Sequence, residues 1–204
     1  QNCDGTDAPC LVHSGRVFEF NVVPAGGAGC ADIDGDGQID NVFGLLAGVI
    51  NPLVEASIAD NSLNIIVLIY GLDSSDVVGR FDLGVVYAVN NRVIRDTVGA
   101  DGRPINFFPG ASIEQGELIA GPRDFQLLMP LGVGNNIQLD THQATITGNL
   151  ILPAVLNGTT GIRINDGVLT AGIPEAGLRA ALQATAPDVL FLLDAFEPDL
   201  DLDL

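Results

Sequence analysis

Within residues 11–24 (Leu-Val-His-Ser-Gly-Arg-Val-Phe-Glu-Phe-Asn-Val-Val-Pro) apolar and polar side chains alternate from Arg16 onward, which predicts a strand with one solvated face. The period then changes. Val42, Phe43, Leu45, Leu46, Val49 and Ile50 recur at helical spacing, so a short helix is expected, interrupted at Asn51-Pro52 and followed by a second helical turn over 53–59. From 63 to 70, Leu-Asn-Ile-Ile-Val-Leu-Ile-Tyr is a β-branched run suited to a strand buried on both faces. Further strands are predicted at 79–89, 112–120, 123–131, 137–147 and 162–173. Turn signals separate them at Asp73-Ser74-Ser75-Asp76, Asn90-Asn91, Asp101-Gly102, Gly134-Asn135-Asn136 and Asn165-Asp166-Gly167. That rhythm describes a mainly β fold, an antiparallel sandwich or barrel-like sheet. Pro174-Glu175 opens a helix through Ala184, with Leu178, Ala181 and Leu182 on one face, and Pro187-Asp188 opens another through Phe196; together they are expected to form a helical hairpin against the sheet. The organisation that follows is one β-rich domain over 1–196 and an acidic segment over 197–204.

One stretch breaks the hydrophobic rhythm with chemistry of its own. In Asp32-Ile33-Asp34-Gly35-Asp36-Gly37-Gln38-Ile39-Asp40-Asn41, carboxylates fall at loop positions 1, 3, 5 and 9, and Gly37 takes position 6, where a Ca²⁺ loop turns sharply. The backbone carbonyl of Gln38 supplies position 7, and Ile39 is the apolar anchor. Two carboxylates about 5 Å apart at an effective dielectric near 20 repel by roughly 3 kcal/mol, so several such pairs call for a cation. The alternative is an ordinary Asp-Gly turn. Phe43 stands where an EF-hand carries its bidentate Glu, which argues against a helix-loop-helix sensor. Asp32, Asp34, Asp36, Gln38 and Asp40 are therefore the expected Ca²⁺ ligands, within a loop spanning 30–43. The pattern resembles the short D-x-D-x-D-G-x-x-D loops of integrin-type repeats, dockerin-like modules and thrombospondin-type repeats.

Composition narrows the partners. A net charge of -18 with eight basic residues argues against nucleic acid or an anionic membrane surface. The apolar fraction of 47% rests on aliphatic residues, so the chain folds around a core and is not a disordered acidic polymer. No apolar run is long enough to span a bilayer. Cys3, Cys10 and Cys30 all fall in the first thirty residues, which suggests a stapled N-terminal region. Cys3–Cys10 is the favoured bridge and Cys30 the alternative partner; a cysteine zinc site is the rival reading. A disulfide and a start at Gln1-Asn2-Cys3 point to a processed secreted or cell-surface product.

The segment 197–204 (Glu-Pro-Asp-Leu-Asp-Leu-Asp-Leu) sets Asp199, Asp201 and Asp203 at the 1, 3, 5 spacing of another calcium loop. It reads as a frayed acidic tail, as part of a second metal site, or as an alternating strand that adds to the edge of a neighbouring subunit. Taken with Val-Phe-Gly-Leu-Leu after the loop and the late Gly-Ile-Pro-Glu-Ala-Gly-Leu-Arg-Ala-Ala-Leu helix, the chain resembles uncharacterised secreted or cell-surface proteins of myxobacteria and related bacteria. The resemblance implies calcium and an extracellular location.

Enzymatic constellations are sparse. His13 and His142 accompany no nucleophile elbow and read as sheet-surface residues, and no Gly-Lys-Ser/Thr phosphate cradle is present. Acidic pairs such as Glu114 and Glu117 are what a glycosidase could use. Asn157-Gly158-Thr159 matches a glycosylation sequon. The expected function is a calcium-stabilised structural or interaction module. The alternatives are a self-assembling filament or surface-layer subunit, a homo-oligomer joined by segment 197–204, and a calcium-dependent hydrolase or carbohydrate binder.

Overall fold

A computed structural model describes residues 12–24, 42–72, 79–130, 136–156, 159–185 and 187. The protein is mainly β, with an antiparallel sheet curled into a half-barrel and two helices. The strands are β1 (Val12–Arg16), β2 (Asn64–Tyr70), β3 (Gly79–Val89), β4 (Arg92–Val93), β5 (Asn106–Glu114), β6 (Glu117–Pro130), β7 (Asn136–Leu156) and β8 (Thr159–Gly172). All belong to one sheet of order β1-β2-β3-β5-β6-β7-β8, with β4 attached to β3. Among the described residues, of the two predicted architectures it is the barrel-like sheet that forms. Its edge strands β1 and β8 approach within 8 Å at Cα without pairing.

The curl has a visible cause. Along β6, Leu118 and Ala120 face the core at even positions, yet Phe125, Leu127 and Met129 face it at odd ones. The pairing register shifts between Ala120 and Phe125. A bulge there re-phases the strand, so that both halves bury their apolar side chains. The same switch occurs in β5 at Gly110 (φ +70°), in β7 at Gln143 (φ +52°) and in β8 at Asp166 (φ +50°). Each bulge bends its strand and adds twist, and four in adjacent strands roll the sheet.

Helix α1 (Ala47–Ala59), preceded by a 3-10 turn at Val42–Leu46, fills the concave side. Leu46, Ile50, Val54 and Ile58, at i, i+4 spacing, are all buried and join the sheet's inner residues in one core. The expected interruption at Asn51-Pro52 is not found: Pro52 lies inside a continuous helix. It is exposed, so its ring meets solvent on the face away from the core. Helix α2 (Glu175–Thr185) contributes Leu182 to the same core and packs on β7. It matches the first arm of the predicted helical hairpin; the second arm lies outside the described residues.

Other boundaries moved. The first strand covers 12–16, and residues 17–24 continue as irregular chain. Strands predicted at 112–120 and 123–131 are instead β5 and β6, joined by a tight turn at Gln115-Gly116, both with positive φ. Gly121-Pro122, a cis peptide, lies within β6, and the expected turn at Asn165-Asp166-Gly167 is the β8 bulge.

Backbone rungs join β5 to β6 only from Ser112 to Glu114. Beyond them the side chain of Asn106 bridges the strands. Its Nδ2 donates to the Gln126 carbonyl (2.8 Å) and its Oδ1 accepts from the Gln126 N–H (2.7 Å). The Tyr87 hydroxyl donates to the same carbonyl (3.0 Å), and burial pushes that phenol well above its usual range, so it stays protonated as a donor.

Candidate functional site

The expected calcium ligands Asp32, Asp34, Asp36, Gln38 and Asp40 lie outside the described residues, as do Cys3, Cys10, Cys30, Asp199, Asp201 and Asp203. The frame that holds the loop's two flanks is described. Before it, the Val17 N–H donates to the Ile65 carbonyl (2.9 Å), prolonging the β1–β2 pairing. Asn51 of α1 then grips Val22 from both sides: its Oδ1 accepts from the Val22 N–H (2.7 Å) and its Nδ2 donates to the Val22 carbonyl (2.9 Å). Phe20 and Val22 before the loop, and Phe43 after it, pack on the core. Val22 is thus fixed to α1 before segment 25–41, and Phe43 to the core after it. Asn51→Ala removes two partly buried hydrogen bonds at about 1 kcal/mol each, and a urea melt should show a loss of about 2 kcal/mol. A loss below roughly 0.5 kcal/mol would mean the clamp carries little weight.

The other end of α1 is closed by a cation. Arg16 Nη1 donates to Asn61 Oδ1 (2.7 Å) and Nη2 to the Ile58 carbonyl, one of the last helix carbonyls. Asn61 takes the left-handed conformation (φ +64°) that ends the helix. The Asp60 carboxyl is held below the usual range by its hydrogen bonds with Ser62. Beside this cap, Ser14, Gly15, Arg16, Asn64, Ile66, Ala88 and Asn91 line a cavity of about 310 Å³. Among the described residues, Arg16 Nε and Asn64 Oδ1 are buried without a partner, a donor and an acceptor on adjacent strands. Both atoms are shut off from solvent, so the cavity wall offers mainly Ser14, Asn91 and apolar surface, a set without a nucleophile and base in contact.

A third feature stands on the convex face. Gly84 lets the loop after β4 fold down on the sheet, since a Cβ there would meet Pro104 Cγ at 2.7 Å. Tyr70 and Phe107 meet edge to face (6.0 Å), and the Arg103 guanidinium lies over the Phe107 ring at 5.4 Å. Sequence reasoning did not find this cluster, whose members meet only through the β2–β3–β5 pairing.

The other titratable groups are scattered. His142 Nδ1 lies 2.9 Å from Asp124 Oδ1 at the β6 bulge, on an exposed face, and His13 Nε2 lies 3.0 Å from the Leu72 carbonyl. Glu114 and Glu117 are paired directly across the β5–β6 turn, both exposed. Among the described residues no three His, Cys, Asp or Glu side chains converge, and no helix is long and apolar enough to cross a membrane.

No family model, curated protein or solved structure matches this chain.

Proposed function

We propose that this protein is a secreted or cell-surface structural or interaction module stabilised by Ca²⁺. The ion is held by Asp32, Asp34, Asp36, Asp40 and the Gln38 carbonyl. The observation that carries the reading is the register of these ligands, with Gly37 at the turn and Ile39 as anchor in the same frame. The Asn51 clamp supports it, because a loop whose flanks are already pinned loses less entropy when an ion orders it. An ion that binds only the folded chain stabilises it by about 2.7 kcal/mol at a hundredfold excess over Kd. For a chain of this size that is a rise in melting temperature of roughly 5–10 °C. The expected result is a calcium-dependent rise in the wild type, reversed by chelator, and none in Asp34→Ala/Asp36→Ala. An unchanged calcium response in the double variant overturns the assignment.

A further inference from the structure

The geometry points to the free edge of β4 as a receptor for the acidic segment 197–204 of a second copy, which would join it as an added strand. Four of the eight basic residues lie on β1 or in the stretch 92–103 that follows β3. Arg16 ends β1, and Arg92, Arg95 and Arg103 follow the β3–β4 turn, which is tied to the end of α1 by the Asn90 N–H on the Asn61 carbonyl (2.9 Å). Arg92, Arg95 and Arg103 are exposed and make no ion pair among the described residues. Val93 and Ile105, among the most exposed large apolar side chains, accompany them at 50% and 47% exposure.

Among the described residues β4 pairs with β3 through one side only, Val89 with Arg92 and Ala88 with Val93, and has no second strand neighbour. Along β4, Arg92 and Val93 point to opposite faces. A strand added to its open side places each of its residues on the same face as the residue it opposes. The alternation in 197–204 fits that requirement: an Asp opposite Arg92 on one face sets a Leu opposite Val93 on the other. Arg95, in the 3-10 turn that follows β4, remains for a further carboxylate. In a chain of net charge -18, the span 91–105 carries three Arg against Asp96 and Asp101, a place where an acidic segment meets attraction.

The topology favours a second copy over the same chain. α2, which precedes the segment, packs inside the half-barrel on β7, and β5 and β6 separate β7 from β3. With one receptor edge and one donor segment per copy, the association is head-to-tail and open-ended. This inference does not depend on the calcium reading.

The test is sedimentation velocity of the full chain in excess calcium over a concentration series, at low and at raised salt. The expected result is concentration-dependent association, weakened at least tenfold by deleting 197–204, by Arg92→Glu/Arg95→Glu/Arg103→Glu, or by Asp199→Arg/Asp201→Arg/Asp203→Arg. Combining the two charge reversals in one chain should restore it. A segment carrying arginines holds no calcium, so that rescue also excludes a metal-bridged contact. A wild type that stays monomeric overturns the inference, as does association that survives the deletion or a combined variant that stays apart. Unchanged circular dichroism melts in the exposed arginine variant separate loss of contact from loss of fold.

Discussion

Replacing Asn106 with leucine is expected to lower the unfolding free energy by about 3 kcal/mol, although the side chain keeps the same branching. Asn106 is 2% exposed and supplies both hydrogen bonds that join β5 to Gln126 where backbone pairing is absent. Leucine leaves the Gln126 N–H without its partner. The Gln126 carbonyl keeps the Tyr87 hydroxyl. An unmade bond at a buried group costs about 1–3 kcal/mol, and the second lost bond adds about 1 kcal/mol. At roughly 2–4 °C per kcal/mol for a chain of this length, the melting temperature should fall by about 6–12 °C. A fall under about 2 °C would show that the amide is not what holds the two strands together there.

Phe108→Ala should cost more, about 4 kcal/mol, because the ring is fully buried and its removal leaves a cavity as well as lost transfer energy. The ring lies 5.9 Å from that of Phe125, tilted by 38°, and so links β5 and β6 on the inner face just beside the Asn106 bridge on the sheet. The pair should therefore couple. A double-mutant cycle with Phe125→Ala in urea is expected to return about 1 kcal/mol of interaction energy, with the denaturant slope unchanged. Simple additivity would place the two rings in independent parts of the core.

These two residues illustrate what the sequence conceals. The strand over 79–89 was legible because β3 keeps one phase throughout, with Phe81, Leu83, Val85 and Tyr87 all inward. In β5, β6 and β8 a bulge reverses the phase midway, so strict alternation reads one strand as two, or misses its first half, as happened at 106–111. Gly121-Pro122 and Asn165-Asp166-Gly167 carry turn chemistry but serve as bulges, because pairing on both sides outweighs the local preference. Pro52 looked like a helix break, yet Ile50, Val54 and Ile58 bury on one stripe across it. The expected calcium ligands are contiguous in the chain and lie outside the described residues. Tyr70, Arg103 and Phe107 come together only through the order of the strands, and nothing local in the chain announces them.

The pairing of β1 with β2 also bears on the route to the native state. Every other neighbouring pair on the path, from β2 to β8, is connected by a hairpin or a loop of modest length, but Arg16 meets Ile66 across about fifty intervening residues. Relative to a two-residue hairpin, closing that span costs about 3 kcal/mol more in chain entropy. Contacts so distant in sequence form late, after the local hairpins have built a surface to receive them. The first strand in the chain is thus expected to be the last to join, and the Asn51 clamp and the Arg16 cap become the final latches of folding.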